Sequence, residues 1–441
     1  MKKELGQEAI YDARELGVPK MLVLGIQHLC AMFGATVVVP IIISGAYGLP
    51  MTVQTTLLMA GLGTLLFHVC TKFKIPAFLG SSFAYLGGFQ MVSTLPIYEG
   101  VDPETKLAYA LGGVVVAGLL YLVLALLFRL VGALKVMRWF PPIVTGPIII
   151  LVGLHLAGSA VDNASQNWGI ALVSIAIVVI FNIWGKGMFK IIPILLGVVG
   201  GCIVAAVTGN MDASAVHTAS LIGLQKFTLA KFDLSAILVM APLAVAAMME
   251  HIGDISAISS TTGNNFISDP GLHRTLMGDG LATALAGFFG GPPNTTYGEN
   301  TGVLVLSKVY DPRVVRLAAY FAIILSFSPK FDALVTSVPA AVIGGISFIL
   351  YGMIAAVGVR NVVENRVDLT KSRNLIIAAV IFVSGLGIDA ITFTVGGTDV
   401  ALTGMAIAAI AGVVLNALLP GNDFEFGATE NADKSADLGS Y

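Results

Sequence analysis

Apolar stretches, many about as long as a membrane crossing, recur along almost the whole sequence and constrain its fold more than any other feature. A helix crosses a bilayer with about 20 apolar residues. Hydrophobic residues make up 56% of the 441 residues and charged residues only 11%, whereas soluble domains carry about 25% charged residues. The sequence therefore predicts an all-α polytopic membrane protein of fourteen segments. The predicted segments are 20–42, 49–71, 75–95, 107–132, 140–160, 167–185, 189–208, 233–260, 272–291, 298–310, 314–329, 338–359, 373–392 and 399–419.

The distribution of Lys and Arg predicts the orientation of these segments. If the N-terminus is cytoplasmic, twenty of the 24 basic residues fall on the cytoplasmic side, as the positive-inside rule requires. The four on the outer side are Lys106, Lys226, Lys231 and Lys330. Both termini are therefore expected in the cytoplasm, with the chain in the inner, or plasma, membrane of the cell. The acidic tail 421–441, rich in small residues, is expected to be disordered.

The two halves of the sequence repeat one another. Three pairs of matches occur in the same order, in segments one and eight, three and ten, and five and twelve. An odd repeat of seven segments places the second copy upside down in the membrane, which is the inverted-repeat architecture of secondary transporters. The matched stretches are Gln27-His28 with Glu250-His251, 81–84 with 295–298, and Pro141-x-x-Val144-x-Gly146-x-Ile148 with Pro339-x-x-Val342-x-Gly344-x-Ile346.

Segments three and ten are interrupted by turn-forming and hydroxyl residues. Irregular backbone at membrane depth is tolerated only where protein or a water-filled cavity satisfies its polar groups. The extended runs 81–85 and 295–298 predict two short strands that meet near the middle of the protein, each leading into a half-helix. Because the first turn of a helix has free N–H groups and a positive dipole end, these half-helices are expected to point at a binding site.

Charged residues inside the apolar segments are few and clustered. Glu250 and Asp254 lie four residues apart on one helix face, and Asp279 and Glu299 follow within a short stretch of sequence. Intramembrane carboxylates are costly and mark functional sites, so one of the group is expected to bind and release a proton. Glu250 and Glu299 are the strongest functional candidates. Asp279 suits a structural tie and a coupling role equally, and Asp389, near a segment end, is expected at the interface.

Aromatic and imidazole side chains extend this set. Phe83 and Tyr297 occupy matched positions of the repeat, and either ordinary packing or stacking against a flat ligand accounts for them. His28, in the middle of the first segment, is placed to hydrogen-bond a carboxylate or relay a proton. His251 is adjacent to Glu250 and so faces away from it. These groups suit a planar ligand with N–H donors and carbonyl acceptors.

Four motifs carry a resemblance to a known family. They read QHLCAMFGAT at 27–36, KIPAFLGSSFA at 74–84, DPGLHR at 269–274 and PPNTTYGENTGV at 292–303. Together they resemble the nucleobase–ascorbate transporters, also called nucleobase–cation symporter-2, and most closely the uracil branch.

The resemblance implies a fold of two domains and, commonly, a homodimer. The implied core domain comprises 20–138 and 233–332, and the implied gate domain comprises 139–232 and 333–420, after a cytoplasmic segment 1–19.

The resemblance also implies roles for individual residues. Glu250 and Glu299 match the two glutamates that bind the pyrimidine, and the aromatic and backbone contacts match Phe83, Ala84, Tyr297 and Gly298. Tyr351 matches a tyrosine of the gate domain, and His28 and Asn300 match a polar network beside the site.

One position departs from the uracil pattern. Asp254 stands where uracil permeases tend to carry His, and both Asp254 and Asp279 look like the xanthine and urate branch. The leading interpretation is a uracil importer that works by proton symport through alternating access, with Asp254, His28, Asn300 and Asp279 as cation-coupling residues and Na⁺ as the other possible ion.

Two alternatives stay open at this point. One is a purine symporter of the same family, and the other is a channel or anion transporter of the same architecture. No enzyme constellation, metal site, cofactor or nucleic-acid partner is expected from the sequence.

Overall fold

The computed structural model describes residues 9–131, 138–395 and 398–421, and it is mostly helical. Residues 1–8 of the predicted N-terminal segment and 422–441 of the predicted disordered tail lie outside the described residues. The helices are α1 Val18–Gly45, α2 Val53–Cys70, α3 Leu86–Thr94, α4 Pro103–Val131, α5 Pro142–His155, α6 Ala157–Ser165, α7 Trp168–Trp184, α8 Met188–Ile191, α9 Pro193–Val207, α10 Ser214–Thr218, α11 Leu234–Met240, α12 Leu243–Thr262, α13 Leu272–Phe289, α14 Gly298–Ser307, α15 Pro312–Ser326, α16 Pro329–Thr336, α17 Ala340–Glu364, α18 Ser372–Gly387 and α19 Gly404–Leu418. The strands are β1 Leu79–Ser81, β2 Asn294–Thr296, β3 Ala390–Val395 and β4 Thr398–Thr403.

Six stretches of helix are long and apolar enough to cross a membrane. The bent pair α15 and α16, with 90° between the two helices, would be a seventh among the described residues. Shorter apolar helices α7, α9, α18 and α19 accompany them. The chain is thus an integral membrane protein, and several of its predicted segments are short or broken rather than full-length helices.

The two interrupted segments form the predicted pair of short strands. β1 and β2 run antiparallel, with Leu79 opposite Thr296 and Ser81 opposite Asn294. The prediction of two strands meeting is confirmed, but β1 begins before the predicted run 81–85, whose end is a 3₁₀ turn, Phe83–Tyr85. Beyond the paired residues the partner is Pro293, which accepts from the Ser82 N–H but has no N–H to return. The ladder therefore stops, and the chain turns into α3.

Each strand is attached to the preceding helix by a threonine hydroxyl that makes two hydrogen bonds to the strand backbone. The hydroxyl of Thr64 on α2 donates to the Leu79 carbonyl at 3.1 Å and accepts from the Leu79 N–H at 2.9 Å. Thr283 on α13 does the same with Asn294, at 3.0 and 3.2 Å. The equivalence of Leu79 with Asn294 shifts the sequence match by one residue, so that Phe83 corresponds to Gly298 rather than to Tyr297.

The helices pack in two sets. In the first set α13 packs against α2 and α4, and α15 packs against α1 and α2; in the second set α17 packs against α5, α6 and α7, and α18 packs against α19. Glycine allows the closest crossings. A Cβ on Gly118 would lie 2.6 Å from the Gly280 carbonyl oxygen, and one on Gly358 would lie 2.7 Å from that of Gly146. Small residues at such crossings are typical of membrane helices.

A β-hairpin follows α18 and corrects two of the predicted segments. Residues 373–392 and 399–419 were expected to be helical, but α18 ends at Gly387 and α19 begins at Gly404. Between them β3 pairs with β4 over six residues of each strand, from Ala390 opposite Thr403. The β-branched and aromatic residues of β3 favour a strand, so the fold is not purely α-helical. Asp389, expected at the interface, is exposed beside this hairpin.

The N-terminal segment joins the ends of two helices that matter for the site. Ile10 pairs in parallel with Val309, just after α14, and the Tyr11 hydroxyl donates to the Thr262 carbonyl at the end of α12 at 2.7 Å. The carboxylate of Asp12 accepts from Arg313 at 2.8 Å. These contacts hold the far ends of α12 and α14 together.

Candidate binding site

A cavity of about 370 Å³ lies where β2, the beginning of α14 and the 3₁₀ turn after β1 meet α12, α5 and α17. Seven of the predicted site residues line it. The lining residues are Phe83, Ala84, Ile149, Val152, Ala246, Glu250, Asp254, Thr295, Thr296, Tyr297, Gly298, Glu299, Leu350, Met353, Ile354 and Val357.

The polar groups of the cavity come from β2, α12 and α14, and these belong to the first helix set because α12 contacts α4 and α14 contacts α1. Glu250 and Asp254 lie one turn apart on α12, and Glu299 is the second residue of α14. Glu250 is exposed to the cavity, whereas Asp254 and Glu299 are half-buried in its wall. The predicted carboxylate pair Glu250 and Glu299 thus does share one cavity, with Asp254 beside it.

The opposite wall is apolar and comes from the second helix set. Ile149 and Val152 on α5 face the cavity together with four residues of α17. Tyr351, predicted as the gate residue, is only 2% exposed and is not part of the wall. Its neighbours Leu350 and Met353 line the cavity instead. The cavity therefore lies between a polar face on one helix set and an apolar face on the other.

The N-terminal ends of the two half-helices lack side-chain caps. The residue before the 3₁₀ turn is Ser82 and the residue before α14 is Tyr297, and neither end has a side-chain cap. The N–H groups of a first helical turn have no partner within the helix, and the dipole there favours negative charge or a carbonyl oxygen. Because Gly298 and Glu299 line the cavity, the N-terminal end of α14 opens into it.

Two aromatic residues lie on the wall in different settings. Phe83 is half-buried, whereas Tyr297 is 4% exposed and its hydroxyl donates to the Ser81 carbonyl at 2.8 Å. The Tyr297 ring lies directly over Gly80, where a Cβ would come within 2.4 Å of its Cζ. Gly80 does not line the cavity but supports its wall. The sequence marked it only as a turn former, although a Gly inside a strand is also a known signal of close approach.

A buried chain of polar groups lies behind Asp254. The Thr296 hydroxyl donates to Asp254 Oδ2 at 2.9 Å and lies 3.5 Å from His251 Nδ1. The same Nδ1 is 3.0 Å from Asp279 Oδ2. Asp279 is therefore close to the site but does not line the cavity. Sequence reasoning did not assign Thr296 or His251 to the site, although the three-residue spacing of His251 and Asp254 makes them neighbours on one helix.

His28 and Asn300 form a second buried pair. The Asn300 side-chain amide donates to the His28 carbonyl at 3.0 Å and lies 3.1 Å from His28 Nδ1. Both residues are buried and neither lines the cavity. Asn300 directly follows Glu299, so the pair links α1 to the first turn of α14, and its role in coupling stays a prediction. Across the described residues, no group of three or more His, Cys, Asp or Glu side chains is arranged to hold a metal ion.

Comparison with known sequences gives consistent matches over most of the chain. The model of a family described as "Permease family" matches residues 19–393. A "Probable uracil permease" of Haemophilus influenzae is 40% identical over 410 residues, which cover 91% of this chain and 94% of that protein. The "Uracil permease" of Bacillus caldolyticus is 40% identical over 419 residues, covering 92% of this chain and 93% of the relative.

A solved structure shares the fold at low sequence identity. The transmembrane domain of the cyanobacterial bicarbonate transporter BicA superimposes with a TM-score of 0.56 and 16% identity, over 90% of this chain and 97% of that one. At this identity the likeness concerns the fold alone.

Proposed function

Because the chain belongs to the nucleobase–ascorbate transporter family of xanthine and uracil permeases, we infer that it transports a nucleobase, most directly uracil, across a membrane. The observation that carries this inference is the convergence of Glu250, Glu299 and the uncapped N-terminus of α14 on one cavity. It is a transporter rather than an enzyme.

The chemistry of uracil suits this arrangement. A pyrimidine ring offers N–H donors, which carboxylates accept, and carbonyl oxygens, which backbone N–H groups meet. In the proposed complex Glu250 and Glu299 accept the ring N–H groups, and the backbone at Gly298 faces a carbonyl. Phe83 and Tyr297 cover the ring, with Ala84 leaving room for it.

The coupling ion is proposed to be a proton, with Na⁺ as the alternative. Asp254 is the coupling group because it faces the cavity and shares the α12 face of Glu250. His28, Asn300 and Asp279 would act behind it. A carboxylate group that gains and loses a proton beside the substrate would link substrate binding to the proton gradient.

Transport would proceed by alternating access between the two helix sets. The proposed core domain, 20–138 and 233–332, keeps the polar face of the site, and the proposed gate domain, 139–232 and 333–420, presents the smooth apolar wall. The matched Thr64 and Thr283 contacts support an inverted repeat of seven plus seven segments, in which the short and broken helices complete a count of fourteen.

The membrane setting is part of the proposal. Both termini are placed in the cytoplasm by the positive-inside rule, in the inner membrane of the cell. A homodimer is the proposed assembly.

A purine symporter of the same family is the second candidate. Asp254 and Asp279 favour it, since this pair of residues looks like the xanthine and urate branch. An anion transporter is disfavoured, because three carboxylate side chains line the cavity and would repel an anion.

A competition series tests the substrate. Labelled uracil is supplied to vesicles that contain the protein and is challenged with uracil, xanthine, urate and hypoxanthine. Uracil is expected to displace the label most strongly; displacement by xanthine but not by uracil would make the purine candidate correct.

A matched pair of variants tests the site. Glu299→Gln should lose uracil binding, whereas Glu364→Gln, at an exposed residue paired with Arg360 on α17, should bind like the unmodified protein. Retained affinity in Glu299→Gln would refute the site assignment.

A further variant tests the coupling group. Asp254→Asn should abolish proton-driven accumulation and spare exchange of uracil.

A further inference from the structure

We propose that His251 and Asp279 form a buried positioning pair that acts through Thr296 to fix the hydrogen bond at Asp254. The pair joins α12 to α13 by a 3.0 Å contact between His251 Nδ1 and Asp279 Oδ2, and both side chains are fully buried. The effect of this pair on transport rests on the proposed function, whereas the contacts of the pair do not depend on it.

The pair is closed off from the cavity. The Phe67 ring packs edge-on against the His251 ring, with 6.1 Å between their centroids. Among the described residues, His251 Nε2 and the two Asp279 oxygens meet no hydrogen-bond partner of regular geometry, and the 3.0 Å approach of His251 Nδ1 is the polar contact that Asp279 Oδ2 makes. A buried carboxylate oxygen 3.0 Å from an imidazole nitrogen needs a hydrogen between them, since two lone pairs at that distance repel. We assign that hydrogen to Nδ1 of His251, with Asp279 Oδ2 as its acceptor.

That hydrogen decides what Thr296 can do. The hydroxyl of Thr296 has one hydrogen to donate and two neighbours that are able to receive it, Asp254 Oδ2 at 2.9 Å and His251 Nδ1 at 3.5 Å. Once Nδ1 carries its own hydrogen it is no longer an acceptor. The Thr296 hydroxyl can then donate its hydrogen bond only to the Asp254 carboxylate.

Asp254 is thereby held with its two oxygens in different roles. Oδ2 is occupied by Thr296, while Oδ1 is directed towards the first turn of α14 and lies 3.8 Å from the place of a Cβ on Gly298. One oxygen is thus fixed to the protein and the other is presented beside the substrate. His251 and Asp279 touch neither the cavity nor the ligand, so they are positioning residues.

Substitutions in the pair should affect gradient-driven accumulation more than exchange of uracil. His251→Leu removes the donor at Nδ1, and it should lower gradient-driven uracil accumulation about tenfold while uracil exchange changes by less than about twofold. A merely structural defect would lower both activities together. His251→Asn, whose amide can place an N–H near the position of Nδ1, should restore accumulation in part.

A double-mutant cycle in ligand-free protein tests the connection without relying on transport. Thermal unfolding is measured for Thr296→Val, Asp254→Ala and the double variant, and for His251→Leu in the same two backgrounds. Residues that act through one another give non-additive shifts. Thr296→Val should lose most of its effect once residue 254 has no acceptor, and the effect of His251→Leu should shrink to the part that comes from unpairing Asp279. Thr296→Ser, which keeps the hydroxyl, should unfold like the unmodified protein.

A second buried histidine provides the control. His68 is also fully buried, and its Nε2 lies 2.9 Å from the Ala77 carbonyl oxygen, with no hydrogen bond to Thr296 or Asp254. His68→Leu should therefore be additive with Asp254→Ala. Additive shifts for Thr296→Val and His251→Leu as well would overturn the positioning pair even if uracil is transported. Non-additive shifts in a protein that does not bind uracil would refute the proposed substrate and leave the pair standing.

Discussion

The Tyr297 hydroxyl donates a 2.8 Å hydrogen bond to the backbone carbonyl of Ser81, which lies 216 residues earlier in the chain. The bond crosses the β1–β2 pair and fixes the ring that forms part of the cavity wall. Ser81 Oγ and Thr36 Oγ1 each lie 3.3 Å from the same hydroxyl oxygen. The position of one aromatic residue of the cavity wall is therefore set by a strand from the other half of the chain.

Removing this hydroxyl should affect stability more than binding. Tyr297→Phe keeps the ring but leaves the buried Ser81 carbonyl without this donor, at a cost of roughly 1–3 kcal/mol. Thermal unfolding should shift downward while uracil affinity changes little. Tyr297→Ala, which removes the ring as well, should lose affinity, and equal affinities for the two variants would show that the ring does not contact the ligand.

Adding a methyl group at Gly80 should disturb the site without changing any polar group. In Gly80→Ala the new Cβ would lie 2.4 Å from Tyr297 Cζ, so the ring must move, at a cost of about 1–3 kcal/mol. Uracil affinity is expected to fall. Gly253→Ala is the control, because it lies next to Asp254 but meets nothing within 4 Å, and it should bind normally.

The His28–Asn300 pair should position Glu299 through the first turn of α14. Asn300→Leu removes the 3.0 Å bond to the His28 carbonyl and leaves buried acceptors unpaired, which costs about 2 kcal/mol. Uracil affinity should fall together with stability. Asn374→Leu, on α18, removes a comparable 3.0 Å bond to the carbonyl of Asp368 in the preceding loop, and there stability alone should fall.

The N-terminal segment should show a dependence on acid pH. Hydrogen bonds from the Arg14 side chain and backbone, together with the charges of Arg14 and Arg313, lower the pKa of Asp12 below its usual range. A carboxyl group with a lowered folded-state pKa stabilises the fold above its unfolded pKa of about 3.9, and this contribution is lost as the pH falls further. Asp12→Asn should therefore lower the unfolding temperature at neutral pH, and the difference from the unmodified protein should shrink below about pH 4. A difference that does not vary with pH would contradict this assignment.

The sequence predicted those parts of the site that local chemistry determines. Turn formers and paired hydroxyls marked the two broken segments, and the four-residue spacing placed Glu250 and Asp254 on one face. The contact of His251 with Asp279 joins two separate helices, and helical periodicity within one segment carries no information about it. The prediction that Tyr351 faces the site failed for a related reason. The rotation of α17 about its axis turns Leu350 and Met353, rather than Tyr351, to the cavity.

The missed hairpin had a signal in the sequence. The Gly-Gly dipeptide at 396–397 stands between two runs rich in Thr, Val and Ile, which is a known hairpin pattern. The high hydropathy of the flanking residues made the same stretch look like the end of one membrane helix and the beginning of the next.

The β1–β2 pair also sets an order of events during biosynthesis. The 216 residues that separate Ser81 from Tyr297 take roughly 10–40 s to translate at about 5–20 residues per second. During that interval β1 has no partner strand, because β2 has not been synthesised. The first half of the chain therefore cannot complete its part of the cavity by itself, and the site can form only after residue 297 has left the ribosome.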